Sequence, residues 1–461
     1  MAVFSKSNVP QFAVDIYQNE YLPEGGREVN AIVTVTATGG GTLGGLPLGA
    51  QSPAGVNGTG PDAAVVIMVD CSGSMDNPPT KMQNARDATA AAIDTIRDSV
   101  AFAVIAGTHA AYEVYPADGR LAVADFATRH QAKQAVGKLS ADGGTAIGSW
   151  LWLADELLAT ADVPIRHGIL LTDGRNEHEA PGALRAVLDA CAGRFTCDAR
   201  GVGTDWEVKE LTDVASTLLG SVDIVADPSG LADDFRQMME NAMGKGVADV
   251  ALRVWTPQGS KVKWVKQVAP TVEDLTLRST EAGPRAGDYP TGSWGDESRD
   301  YHVCIQVPRS EVGEEMLAAR ISLVIPQPGG TSRSSAAESG GGTTQAVAQG
   351  LVRACWTDDM VASTHINPQV AHYTGQAELA QVIQEGLEAR KQGDFDSATS
   401  KLGRAVQLAS ASGNEDTSKL LAKVVDVVDA ASGTVRLKAR VANADEMTLE
   451  TRSTKTVRVK K

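Results

Sequence analysis

Residues 65–77 read VVIMVDCSGSMDN. Five apolar residues in succession suit a strand buried on both faces. That strand ends in Asp70, and Ser72 and Ser74 follow on either side of Gly73. Neither the carboxylate nor the hydroxyls are needed to end a strand, so the segment points to binding. Two later segments finish in the same manner. SADGGTAIGS (140–149) puts Thr145 behind two glycines at the head of a helix, and HGILLTDGRN (167–176) places Asp173 where an apolar strand stops.

Around these segments, from 64 to about 245, short apolar runs alternate with helix-length stretches. The pattern predicts strands at 64–70, 100–106, 112–115, 166–172, 195–202 and 222–226. Helices are predicted at 81–98, 129–138, 147–159, 181–191, 207–219 and 230–243. Alternation of this kind implies crossovers and a mainly parallel, doubly wound α/β sheet. In such a sheet ligands gather beyond the carboxyl ends of the strands, near the point where strand order reverses. Asp70, Ser72, Ser74 and Asp173 fall at such ends, and Thr145 stands at the head of the helix predicted at 147–159.

Two carboxylates and three hydroxyls from three loops are oxygen donors for a hard cation. Mg2+ suits them best, with Mn2+ or Ca2+ as alternatives. Because three of the donors are neutral, the ion keeps much of its charge and attracts an anion. Alone, the D-x-S-x-S of residues 70–74 also reads as a helix cap; Thr145 and Asp173 argue against that. The combination resembles the von Willebrand factor A domain with its metal-ion-dependent adhesion site, whose pattern is D-x-S-x-S, then a threonine, then an aspartate. The resemblance spans roughly 62–245 and implies a divalent ion held by Asp70, Ser72, Ser74, Thr145 and Asp173. It further implies that an Asp or Glu of a partner protein completes the coordination. Pro78 and Pro79 stiffen the rim next to Ser74. A shift of the helix at 230–243 on binding would pass the event toward the strands that begin at 247.

The flanks read differently. Residues 11–18 and 29–37 alternate as half-buried strands, and GGGTLGGLPLGAQSPAGVNGTGP (39–61) reads as a connector. Strand patterning returns over 247–330 and at 350–356, with a second loose linker at 328–344. Since two strands alone are too few to stand, a single β-sandwich with the α/β head inserted into it is the economical arrangement. Three helical stretches, 377–393, 394–413 and 414–433, follow, each closed by Gly. The expected organisation is therefore 1–60 strands plus linker, 61–245 head, 246–358 sandwich, 370–435 helical module and 436–461 basic tail.

A formal charge of −15 and a pI near 5.0 argue against affinity for nucleic acid or anionic lipid. No window approaches the length of a membrane span, and the start lacks a secretory signal, so a cytoplasmic location is expected; the resemblance implies a bacterial (actinobacterial-like) intracellular type. Five scattered cysteines read as free thiols, with a Cys191–Cys197 disulfide as the alternative. The function expected is a non-enzymatic, Mg2+-dependent protein-binding or scaffold role. Two alternatives stand beside it. A metal-dependent phosphohydrolase would call on His167 or His178 as base, although Ser72 stands where a haloacid-dehalogenase-type phosphatase has a second Asp. A phosphorylation-linked adaptor would use Thr451, Ser453, Thr454 and Thr456 in the basic tail to recruit a phosphopeptide-binding partner. Trp150 and Trp152 are expected to pack the helix 147–159 onto the sheet, one of them serving otherwise as a partner anchor.

Overall fold

Every side chain from Ala63 to Asp70 is buried, as a strand sandwiched between helices requires. The computed structural model describes residues 10–39, 63–326 and 344–459. The expected connectors at 39–61 and 328–344 therefore lie, apart from their end residues, outside the described residues. The described chain forms two compact units, one comprising 63–248 with Gly292–Asp296, the other Gln11–Thr38, Asp249–Thr291 and the residues from Glu297 on.

The first unit is built on one sheet. In spatial order its strands are Val222–Val225, Thr196–Val202, Ile165–Thr172, Ala63–Asp70, Ala101–Gly107 and Ala111–Tyr115, with Ala122–Val123 pairing beside Ala101–Gly107. All neighbours are parallel except the last strand and the short Ala122–Val123 pair. The order reverses at Ala63–Asp70, which has Ile165–Thr172 on one side and Ala101–Gly107 on the other. The crossover helices are α1 (Thr80–Thr95), α2 (Phe126–Val136), α3 (Ile147–Ala159), α4 (Ala183–Cys191), α5 (Val208–Thr217) and α6 (Leu231–Met243). Met82, Ala85 and Ile93 of α1 and Phe235 and Met238 of α6 share a core with Val65, Ile67 and Val69. On α3, Trp150 is fully buried and its indole N–H donates to the Thr108 carbonyl at 2.8 Å. Trp152 is half exposed and bonds Glu156. The expected α/β fold class is thus the observed one.

In the second unit Gln11–Gln18 pairs with Glu28–Thr38, which pairs in turn with Glu297–Gln306, and the sheet continues through Lys261–Ala269 to Glu273–Asp274, antiparallel throughout. A second sheet runs Thr280–Gly283, Ala286–Trp294, Val247–Trp255, Glu315–Pro326, Thr344–Trp356 and Tyr21–Leu22. Strands from both ends of the chain are therefore interleaved, because neither set alone offers enough apolar face to bury. Helices α7 (Met360–Thr364), α8 (Pro368–Lys391), α9 (Phe395–Ser412) and α10 (Glu415–Val424) follow, with Asn367, Asp394 and Asn414 capping α8, α9 and α10 through their side chains.

Two expectations for the C-terminal part are corrected. The helix expected over 414–433 stops at Val424, and Val425–Asp429 forms a hairpin with Thr434–Leu437. The β-branched run VVDVV resists a helix and finds a strand partner. Nor is 436–459 a free basic tail, since Asn443–Arg452 forms α11 with Leu449 buried. Thr451 and Ser453 are buried as well, and the Thr456 hydroxyl donates to the Val268 carbonyl at 2.7 Å. Arg458 grips the buried Asp300 with two bonds of 2.8 and 2.9 Å, and Thr34 and Tyr373 donate to the same carboxylate. A carboxylate withdrawn from water needs this many donors. All five cysteines are free thiols, Cys191 and Cys197 included.

His302, buried beside Trp264 and within reach of Asn30, is pushed down from 6.5 to about 4 by burial and by the Lys266 charge. As the pH falls below about 6.5 the unfolded chain takes up this proton before the folded one does. Stability from this group is therefore present above about pH 6.5 and lost on the way to about pH 4, to a total of about 3 kcal/mol. Urea unfolding of the second unit is expected to show that loss in the wild type. In His302→Asn it should be smaller by most of that amount.

Candidate metal centre

Asp70 is wholly buried, and its carboxylate joins two loops. Its Oδ1 accepts the Ser72 backbone N–H at 2.7 Å, while Oδ2 accepts the Thr172 hydroxyl and, at 3.3 Å, the Asp173 N–H. Burial pushes its pKa up to about 6, helped by the Asp173 charge and opposed by the Ser72 and Thr172 hydrogen bonds. From the loop after Asp70, the Ser72 and Ser74 hydroxyls lie 2.9 Å apart, and Ser74 donates to Asp173 Oδ1 at 2.6 Å. Ser72 stands at the N-cap of the short 3-10 turn Gly73–Asp76, yet its side chain makes no cap bond. The capping explanation of D-x-S-x-S is thereby removed. Its hydroxyl faces the other oxygens instead.

Thr145 joins the same group. A Cβ added to Gly174 would sit 2.9 Å from Thr145 Oγ1, 3.4 Å from Ser74 Oγ and 3.8 Å from Ser72 Oγ. The three hydroxyls thus ring one small space that only glycine at 174 leaves open. Backbone bonds hold the first two loops together: Gly73 N donates to Gly143 O at 2.9 Å, and Asp142 N to Cys71 O at 2.7 Å. The turn needs glycine at 143, where φ is +81°. All five residues expected at the site are brought together. Among the described residues no cluster of three or more His, Cys, Asp and Glu forms, so the hydroxyl-bearing group is the candidate. A set of two carboxylates and neutral hydroxyls, free of thiolate and imidazole, fits a hard divalent cation.

Sequence reasoning missed the residues that hold this group in place. The segment after Asp173 reaches across to the start of α3, where the N-cap residue Ala146 has no side chain to offer. His178 Nδ1 accepts the Thr145 N–H at 3.1 Å, Asn176 Oδ1 that of Ile147 at 2.7 Å, and Glu179 Oε1 that of Ser149 at 2.8 Å. In return His178 N donates to the Thr145 carbonyl at 3.0 Å. The free N–H groups at a helix start must find acceptors, and here the third loop supplies them to the second. The polar run RNEHE directly after a strand end was the available signal. Lys81, in the first turn of α1, was also missed. Its ammonium is buried, 2.7 Å from Asp173 Oδ2 and 3.4 Å from Asp205 Oδ2. Burial alone would lower its pKa, but the hydrogen bond and charge of Asp173, with Asp205, raise it above the ordinary value.

Neither histidine considered as a base is disposed to act as one. His178 spends its Nδ1 lone pair on Thr145. His167 lies six residues before Asp173 on an extended strand, roughly 20 Å along it, and bonds Thr196 and Asp198.

Residues 65–175 match the von Willebrand factor type A domain, and 407–453 match the von Willebrand factor type A C-terminal domain. A solved structure of a von Willebrand factor type A protein from Catenulispora acidiphila is 48% identical, covers 99% of both chains and superposes with a TM-score of 0.88. This chain belongs to the von Willebrand factor type A family. The ArnB paralog VWA2 from Sulfolobus acidocaldarius shares the fold, at 13% identity over 96% of this chain and 97% of that one, with a TM-score of 0.55. An uncharacterized protein of Synechocystis is 30% identical over 234 residues, 49% of this chain. The match spans 53% of that curated relative's length. Type A domains bind a divalent metal at a metal-ion-dependent adhesion site, mediate protein interaction through it and are generally non-enzymatic. No helix among the described residues is long and apolar enough to cross a membrane.

Two outcomes follow from this arrangement. Asn176→Ala and Glu179→Ala should each cost about 1 kcal/mol, the usual price of a lost helix cap, measurable by urea unfolding of the type A domain. Gly174→Ala should leave the fold in place while Mn2+ uptake, followed by paramagnetic relaxation, is lost, because the new methyl fills the space between the hydroxyls.

Proposed function

We propose that the type A domain, over 61–245, holds Mg2+ through Asp70, Ser72, Ser74, Thr145 and Asp173, with Mn2+ or Ca2+ able to replace it. The bound ion then captures an Asp or Glu side chain of a partner protein, and the chain acts as a non-enzymatic scaffold in the cytoplasm. The observation that carries this reading is the convergence of the Ser72, Ser74 and Thr145 hydroxyls on the space beside Gly174, next to Asp173. When bound, the ion supplies a positive centre for an oxygen anion. The chain's own residues do the rest: Asp70 ties the first loop to the third, and the hydroxyls present neutral oxygens. His178, Asn176 and Glu179 keep Thr145 in register with Asp173.

The adaptor reading of the C-terminal segment is disfavoured by the burial of Thr451 and Ser453 and by the bond from Thr456 to Val268. The hydrolase reading is disfavoured at the two histidines it calls on, His178 being engaged by Thr145 and His167 bonding Thr196 and Asp198 further down the strand.

Affinity capture with the full chain, with Mg2+ or with EDTA, tests the proposal. Partners retained by the wild type in Mg2+ should be lost in EDTA and in Ser72→Ala/Ser74→Ala. Isothermal titration of that variant with Mn2+ should show affinity at least about tenfold weaker, as expected for the loss of two direct oxygen donors. Retention of the same partners in EDTA would overturn the reading.

A further inference from the structure

Lys81 places a fixed positive charge inside the oxygen group. It reaches Asp173 Oδ2 at 2.7 Å, while Ser74 holds the other oxygen of the same carboxylate at 2.6 Å. Its side chain is 8% exposed and Asp173 is fully buried, so water does little to screen the pair. Asp205, 68% exposed, lies 3.4 Å from the same ammonium and takes a smaller share of it.

The charges can be counted. Asp70 and Asp173 contribute two negative charges, the hydroxyls none, and Lys81 one positive, so the group carries −1 before any metal arrives. A divalent ion brings it to +1. Without the lysine the same ion would bring it only to zero. We infer that Lys81 is the residue that sets the ligand charge of this site: it weakens the hold on the cation and leaves the loaded site one positive charge in excess, to be matched by a single carboxylate. The inference rests on the metal reading of the five oxygen residues and adds the selector of what the metal then takes.

The two effects have opposite signs, and that separates this role from a structural one. Lys81→Met keeps most of the buried stem and removes the charge. In the full chain it should bind Mn2+ about tenfold more tightly than the wild type, the direction Coulomb attraction requires once the repelling ammonium is gone. Acetate, titrated against the Mn2+-loaded chain and read by the fall in water-proton relaxivity as bound water is displaced, should bind about tenfold more weakly. Lys81→Arg should restore both values toward wild type. A lysine that merely supported the fold would give weaker Mn2+ binding and a lower melting temperature together, and that result would overturn the inference. If Lys81→Met fails to fold, Lys81→Gln removes the same charge with a polar side chain and is read in the same way: tighter Mn2+ with weaker acetate supports the inference, and unchanged acetate binding would overturn it. A wild-type chain that takes up no Mn2+ overturns the metal reading and this inference with it. A wild type that binds Mn2+, beside a folded Lys81→Met that binds it no more tightly, overturns the role of the lysine alone.

Discussion

A carboxylate buried at the end of a parallel strand must be given donors, and the way Asp70 obtains them organises the head. It takes a backbone N–H from its own loop, the Thr172 hydroxyl at the end of Ile165–Thr172, and the Asp173 backbone N–H just beyond it. These bonds offset a desolvation cost that would otherwise amount to several kcal/mol. In doing so they bring Ser72 and Ser74 beside Asp173. The site is thus a consequence of satisfying one buried acid at the strand-order reversal.

Thr145 is delivered by a separate constraint. The first turn of α3 starts without a capping side chain, and the exposed N–H groups are satisfied by His178, Asn176 and Glu179. Helix capping and site assembly are therefore the same interaction seen from two sides. A change at the third loop would reach Thr145 through the helix start, with no contact to the oxygens themselves.

The second unit follows a similar logic on a different acid. Asp300 sits on Glu297–Gln306 and is satisfied by Thr34, Tyr373 and Arg458, from the N-terminal strands, α8 and the C-terminal segment. One carboxylate thereby collects pieces of chain more than 400 residues apart, 458 − 34 = 424 in sequence number. It also explains why Arg458 is not part of a free tail: its charge has a buried partner.

The alternation of apolar runs with helix-length stretches was enough to establish the α/β head, and the acids closing two of those runs, with Ser72 and Ser74 beside one of them and Thr145 at a helix head, singled out Asp70, Ser72, Ser74, Thr145 and Asp173. Periodicity and strand-end chemistry are local, so a single chain displays them directly. The sequence left open what depended on partners distant along the chain. VVDVV could wind as a helix until Thr434–Leu437 offered it a strand, and Arg458 was only a basic residue until Asp300 was buried opposite it. Lys81 likewise reads as an ordinary first-turn lysine on α1. Only the crossing of α1 past the end of Ile165–Thr172 brings its ammonium onto Asp173, because long-range electrostatics is decided by distance in space, and the fold alone sets that distance.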